Sequence, residues 1–102
     1  MGDLDMFDNE TQVCKEAIEV YGKDAQVTKA IEECAELIQV LAKYKDVYDL
    51  TKEERTKLID EVVDVEIMLT QVKLMFEIGG EWLEQHKASK LERLQLRLIA
   101  TP

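Results

Sequence analysis

Four acidic side chains occur as two pairs with helical spacing. Glu33 and Glu36 are three residues apart, and so are Glu61 and Asp64. Because residues three or four apart lie on the same face of an α-helix, each pair presents two carboxylates in one direction. Hard oxygen ligands of this kind suit Mg²⁺ and Mn²⁺. If the two helices pack together, the four carboxylates form a candidate site for a divalent cation, with Mg²⁺ favoured.

The surroundings of these pairs distinguish them from other acidic pairs. Spacing alone is weak evidence, because the chain has 22 acidic residues and Glu16 with Glu19 fits the same pattern. The first candidate pair, however, lies beside Leu37 and Val40, and the second is flanked by valines. Carboxylates embedded in apolar surface are unfavourable unless a cation or hydrogen bonds compensate them. Four of them close together would also resist ionisation, a conflict that a divalent cation removes.

Basic residues accompany the acids. Lys29 and Lys57 each lie four residues before an acid of a candidate pair. Each lysine forms either a simple i, i+4 salt bridge or a contact that neutralises phosphate charge. Lys90 and Arg93, farther along the chain, could reach the same site or remain solvated. Zinc is disfavoured because no His or Cys lies at ligand spacing, and we expect His86 to be a surface residue.

The apolar periodicity predicts an all-α fold of four helices joined by short loops. The low content of helix-breaking residues, 4 Gly and 1 Pro, also favours long helices. Predicted start and stop signals are N-caps at Asp8 or Asn9, a stop at Gly22, an N-cap at Asp24, a capping box from Thr51 to Glu54, and a break at Gly79–Gly80. The predicted helices cover approximately residues 9–21, 25–45, 52–76 and 81–99.

The predicted arrangement is a single domain over residues 1–102, a four-helix antiparallel bundle-like protomer with residues 1–7 as a flexible arm. The main apolar face of the second helix consists of Val27, Ala30, Ile31, Cys34, Ile38 and Leu41, while a second strip borders the Glu33 row. The third helix is apolar on nearly all sides and is expected to be buried on nearly all sides. So much apolar surface predicts that a homodimer or homotetramer completes the packing.

Composition excludes some classes of function. A net charge of −9 disfavours binding to nucleic acid and to anionic membranes. The longest apolar run is too short for a membrane span, and the acidic start is unlike a signal peptide, so a cytoplasmic location is expected. Cys14 and Cys34 lie on apolar helical stretches and are predicted to be buried free thiols.

One family pattern matches these acids. E-E-x-x-E, formed by Glu32, Glu33 and Glu36, is followed after 24 residues by E-x-x-D at Glu61 and Asp64. This pattern resembles that of the MazG-like all-α nucleoside triphosphate pyrophosphohydrolases. The flanking segments 22–39 and 86–94 are also similar to that family's first motif and basic C-terminal helix.

The resemblance implies an activity and roles for residues. It implies Mg²⁺-dependent hydrolysis of a (deoxy)nucleoside triphosphate to the monophosphate and pyrophosphate, for housecleaning of the nucleotide pool, in a dimer or tetramer. The four paired acids would ligate the metal, and Glu33 or Glu36 would activate water. The expected substrate-binding residues are Gln26, Lys29, Lys57, Lys90 and Arg93.

Two other functions stay open. The acids could belong to a non-catalytic acidic helical bundle that serves as an interaction or assembly module. The chain could also keep the enzyme fold and bind nucleotides without turning them over. Tyr44 and Trp82 could stack on a base or simply pack, and the preferred base and sugar are not predicted.

Overall fold

The structure, a computed structural model, describes residues 6–44 and 46–102, with side chains from Asn9 onward. Four α-helices account for nearly all of this part of the chain, which confirms the predicted all-α class. They are α1 (Met6–Tyr21), α2 (Lys23–Lys43), α3 (Lys52–Met75) and α4 (Gly80–Ala100). None of them is long and apolar enough to cross a membrane.

The helix ends show which local signals decide the boundaries. Gly22 has φ of 91°, a conformation that glycine adopts without strain, so it separates α1 from α2 as predicted. The capping box is also confirmed, since Thr51 Oγ1 accepts from the Glu54 N–H at 3.1 Å and Glu54 Oε1 accepts from the Thr51 N–H at 2.8 Å.

Three predicted N-caps were wrong. Asp8 and Asn9 lie inside α1, which begins at Met6, so the predicted arm 1–7 already turns helical at its last two residues. Residues 1–5 of that arm lie outside the described part of the chain. Asp24 lies in the first turn of α2, where its negative charge interacts favourably with the helix dipole. Gly22 occupies the N-cap position, and no side-chain hydrogen bond caps the helix there.

α2 and α3 form the main antiparallel pair, and α1 packs against both. At the centre of their seam, residues that face each other have numbers that add up to 97, which defines an antiparallel register. Gln26 is hydrogen-bonded to Gln71, and the neighbouring carboxylates of Glu33 and Asp64 follow the same rule. Near the other end, the Tyr44 hydroxyl donates to the Glu54 carbonyl at 2.6 Å, which ties Tyr44 into the packing.

The core of the described residues is small, and α2 does not pack with the face that was predicted. Of the predicted face, only Ala30 is buried, whereas Ile31 and Ile38 are 65% and 66% exposed. The strip that bears Glu33 and Val40 faces α3 instead. Cys14 is a buried free thiol as predicted, but Cys34 is exposed together with its face, so that prediction was wrong.

The prediction that α3 is buried on nearly all sides is wrong for one protomer. Ile59, Val62, Val63 and Leu69 on this helix are between 40% and 54% exposed. The reason is that α4 does not cover them, since no packing contact joins α4 to α1, α2 or α3 in the part of the chain that the structure describes. No α4 residue is buried.

Candidate metal centre

Three of the four paired acids come together where α2 crosses the middle of α3. One carboxylate oxygen from each of Glu33, Glu61 and Asp64 lies within 4.8 Å of the other two. We call these three residues the acidic trio. Glu33 and Glu61 are 7% and 4% exposed, while Asp64 lies at the edge and is only partly covered. Helical spacing places each carboxylate on the α2–α3 seam, and the antiparallel register brings the two helices' acids opposite each other.

A lysine pairs with one oxygen of each of the two buried carboxylates. Lys29 Nζ lies 3.1 Å from Glu33 Oε1, and Lys57 Nζ lies 3.2 Å from Glu61 Oε1. Both are i, i+4 pairs along one helix, and both lysine side chains are more than half exposed. Ion pairs with exposed lysines contribute little to stability, because solvent screens them and the long side chains lose entropy. These lysines can therefore leave their glutamates to bind another anion with little loss of stability.

The other oxygen of each buried carboxylate has no partner. Glu33 Oε2 and Glu61 Oε2 are inaccessible to solvent and make no hydrogen bond. A buried charged oxygen without a partner is strongly unfavourable, so such atoms are rare in folded proteins. One comes from α2 and one from α3, beside a third carboxylate, and all three are hard oxygen donors. This donor set fits Mg²⁺ or Mn²⁺ and lacks the nitrogen or sulfur ligands that zinc prefers.

The crowding of carboxylates raises the pKa values of Glu36 and Asp64. The negative charges of Glu33 and Glu61 raise the pKa of Glu36, with a smaller contribution from burial. Burial raises the pKa of Asp64, and the charges of Glu33 and Glu61 raise it further. Glu36 is exposed at the side of the trio, in register with Glu61. All four predicted acids thus influence one another, with Glu36 outside the tightest group.

A cavity of about 530 Å³ opens beside the trio and includes Glu33 and Asp64 in its wall. Its floor contains the hydrogen-bonded amides of Gln26 and Gln71, which are 8% and 4% exposed. Tyr21, Ile67 and Met68 add apolar wall. A volume of this size is typical of pockets for small ligands.

Four of these cavity residues were not predicted as site residues, namely Tyr21, Ile67, Met68 and Gln71. The usable signal for Gln71 was its place on the Asp64 face of α3, seven residues farther on. Gln26 and Lys29 were predicted and do line the cavity, and Glu32 also contributes to the wall.

The structure does not bring every predicted residue to the site. Lys57 reaches the trio only through Glu61. Lys90 and Arg93 lie on α4, which has no contact with the site in the described protomer. Trp82 is 65% exposed, and its ring centroid lies 6.3 Å from that of His86, which is a surface residue as expected.

The raised pKa values predict how stability changes with pH. Folding raises the pKa of Asp64 above its ordinary value of 3.8 and the pKa of Glu36 above its ordinary value of 4.5. The native state therefore binds these protons more tightly than the unfolded state does. The contribution of both groups to the free energy of unfolding is greatest at acidic pH and is lost as pH rises from about 4 through the raised pKa values.

Urea denaturation at several pH values without divalent cations tests this expectation. Asp64→Asn should be as stable as the wild type at pH 4 and more stable at pH 7, because its side chain cannot ionise. Asp49→Asn, in the loop before α3, is the control. Parallel stability curves for the wild type and Asp64→Asn would contradict the prediction.

Comparison with known proteins gives no family assignment. A scan against protein-family models finds no match, and searches of curated proteins and of solved structures find none either. Function is therefore inferred from the geometry of the acidic trio and its cavity, together with the sequence pattern described above.

Proposed function

We propose that the protein is a Mg²⁺-dependent nucleoside triphosphate pyrophosphohydrolase that acts on the cytoplasmic nucleotide pool. The observation that carries the proposal is the pair of buried, unpartnered oxygens, Glu33 Oε2 and Glu61 Oε2, from two different helices. A cation-free role gives no reason to keep both charges buried. A bound divalent cation explains them, and the adjoining cavity gives the remainder of a ligand a place to bind.

In this proposal Glu33, Glu61 and Asp64 hold the cation, as the distances between their oxygens allow. Mg²⁺, when bound, supplies a Lewis acid that neutralises charge on phosphoryl oxygens. Lys29 and Lys57 are exposed beside the trio and bind non-bridging phosphate oxygens. The neighbouring glutamates raise the pKa values of Lys29 and Lys57, so both lysines keep their charge at neutral pH.

Glu36 is assigned the proton transfer. It stands next to the trio instead of within it, so its carboxylate is free to orient a water molecule and accept its proton. Its raised pKa makes it a stronger base than an ordinary glutamate. The attacked phosphorus is the α-phosphorus, and the leaving group is pyrophosphate.

The cavity beside Gln26 and Gln71 is assigned to the nucleoside. Tyr21 and Met68 offer apolar contact to a base or sugar, while the two amides offer both donors and acceptors. Because the amides are already bonded to each other, they are held in place before the ligand arrives.

An assay of pyrophosphate release from ribo- and deoxynucleoside triphosphates tests the proposal. We expect release with Mg²⁺ from one or a few nucleotides and none with EDTA. Glu16→Gln is a matched control, because it removes an exposed acid from α1 at the same i, i+3 spacing. Absence of release from every nucleotide, with the protein folded, would overturn the proposal.

The alternative function is an acidic helical module for assembly. The exposed apolar face of α2 and α3 favours it, since a monomer rarely exposes so much contiguous apolar surface. It predicts that neither Mg²⁺ nor nucleotide raises the melting temperature. An oligomer that completes a four-helix arrangement is compatible with both functions.

A further inference from the structure

The floor of the cavity holds two amide side chains, one from each helix of the seam. Gln26 of α2 donates through Nε2 to Oε1 of Gln71 of α3, and we call these two residues the amide pair. They are 8% and 4% exposed, and both lie in the cavity wall. Burying an amide is unfavourable unless its polar groups find partners, so the remaining groups of the pair require an explanation.

One hydrogen bond leaves much of the capacity of the amide pair unused. Each carboxamide carries two N–H donors and an oxygen that can accept twice. The described residues offer Gln26 Oε1 and Gln71 Nε2 no hydrogen bond, yet neither atom is enclosed in the way that Glu33 Oε2 and Glu61 Oε2 are. Since both glutamines line the cavity, their free groups are reached from it. The amide pair therefore offers a ligand one acceptor and one donor.

Packing of the seam does not require amides at these positions. The buried positions of α3 on either side of Gln71 are Met68 and Met75, which are unbranched and apolar. Replacing both partners of a buried hydrogen bond by apolar groups of the same shape is nearly neutral for stability. Two methionines would thus fill the space as well, and the amides add hydrogen-bonding groups directed to a ligand.

Helical spacing sets the distance from the amide pair to the acidic trio. Gln26 precedes Glu33 by seven residues, and Gln71 follows Asp64 by seven, so each amide shares a helix face with an acid of the trio. Seven residues correspond to about 10.5 Å along a helix axis. With a phosphate bound at the trio, this distance leaves room for a sugar and brings the outer edge of a nucleobase to the amides.

The amide pair can present its groups in two orders. Turning over a carboxamide exchanges its oxygen and nitrogen with almost no change of shape. If Gln26 turns over, its Oε1 faces Gln71, and the bond between them persists only when Gln71 also turns over and donates through Nε2. The donor and the acceptor offered to the ligand then change places. The two amides therefore invert together.

Nucleobases present the same two orders. Cytosine and adenine carry an amino donor beside a ring-nitrogen acceptor, whereas uracil, thymine and guanine carry a carbonyl acceptor beside a ring N–H donor. One order of the amide pair is complementary to the amino bases, and the inverted order is complementary to the keto bases.

We propose that the amide pair reads the hydrogen-bonding edge of the nucleobase and, by inverting as a unit, accepts both the amino and the keto member of one size class. The size of the cavity then chooses between pyrimidines and purines, and the pair does not choose within the class. This inference rests on the proposed function, because it places phosphates at the acidic trio. It makes Gln71, together with Gln26, a determinant of base preference.

Binding of nucleotides that cannot be cleaved tests the amide pair without turnover. The probes are α,β-imido deoxynucleoside triphosphates of the four bases, and analogues with 2-pyrimidinone or unsubstituted purine, which lack the amino or keto group. Isothermal titration calorimetry with Mg²⁺ measures their affinities. In the wild type, the amino and keto members of the preferred class should bind within about 10-fold of each other, and the analogue should bind at least about 10-fold more weakly because it forms one hydrogen bond fewer.

The double variant Gln26→Met/Gln71→Met removes the amide pair and keeps the shape of the seam. It should retain helical circular dichroism and Mg²⁺-dependent binding of nucleotides, but bind the complete base and the analogue with equal affinity. Gln39→Met, the same change at an exposed position of α2, is the control and should keep the wild-type preference.

The outcomes separate this inference from the proposed function. A wild type that prefers the amino or the keto member by more than about 10-fold, or that binds the analogue as tightly as the complete base, would overturn the inference, and neither comparison needs a variant. A double variant that keeps the wild-type preference would also overturn it. The expected binding without pyrophosphate release from ordinary triphosphates would refute the enzymatic function and leave the role of the amide pair in place. A folded wild type that binds no nucleotide would refute both.

Discussion

Glu61→Gln is expected to make the protein more stable without metal and to abolish its response to metal. The substitution removes the charge of a carboxylate that is 4% exposed and whose Oε2 has no partner. It also relieves repulsion with Glu33 and Asp64 and supplies an amide donor to them. The lost ion pair with Lys57 contributes little, because the lysine is exposed and its charge is screened by solvent. A net gain on the order of 1 kcal/mol in the free energy of unfolding follows.

The stabilisation by Mg²⁺, in contrast to the stability without metal, should decrease in Glu61→Gln. At a Mg²⁺ concentration ten times the dissociation constant, linkage stabilises the wild type by about 1.4 kcal/mol. Glu61→Gln should gain nothing, and its pyrophosphate release should fall by at least about 100-fold. Urea denaturation with Mg²⁺ and with EDTA measures both effects, with Glu16→Gln as the control that stays within about 0.5 kcal/mol of the wild type. Loss of stability of Glu61→Gln in EDTA would show that the wild-type charge is already compensated, and would refute the metal site.

Glu36→Gln should separate catalysis from cation binding. Glu36 lies outside the acidic trio, so the three ligating oxygens remain after substitution. The variant cannot accept a proton, and loss of a general base lowers kcat by about 10²- to 10⁴-fold. Its stabilisation by Mg²⁺ should stay close to that of the wild type. This combination would assign Glu36 to proton transfer and the trio to the cation.

Steady-state kinetics over a range of pH, together with melting curves, decide between roles for Glu36. If it accepts a proton, the acidic limb of the kcat profile should be lost in Glu36→Gln while KM changes little. Glu16→Gln, which removes an exposed acid of α1 away from the cavity, is the control for a general change of charge. A Glu36→Gln variant that keeps near-normal kcat, or that loses the Mg²⁺ response together with activity, would contradict the assignment.

The two effects on stability and turnover have one origin. Two helices bury carboxylates at their seam, where a protein without a ligand would prefer apolar side chains. Glu33 and Glu61 are therefore expected to reduce the stability of the free protein, and in our proposal a bound cation restores it. A site of this type is expected to be more ordered and more resistant to urea with its ligand than without it.

Much of the local structure could be predicted from the sequence, because its causes are local. The period of apolar residues defines four helices, and the Thr51–Glu54 capping box places the start of α3 correctly. The same 3.6-residue period puts Glu33 with Glu36, and Glu61 with Asp64, on the faces where the structure has them. Where two signals competed, as for Asp24 and Gly22 at the start of α2, propensity alone chose wrongly, since acidic residues favour the first turn as well as the N-cap.

Only the tertiary structure decided which faces meet. α2 has two apolar strips of similar character, and the sequence favoured the one with Ile31 and Ile38; packing of α3 selected the other, which carries Glu33 and Val40. The antiparallel register then brought Gln71 to Gln26, a pair 45 residues apart with no sequence signal linking its members. α4 makes no packing contact with the other helices in the described residues, so its apolar residues alone do not define its position. Periodicity reports that a face is apolar, but the partner of that face depends on contacts between segments far apart in the chain, which no local pattern encodes.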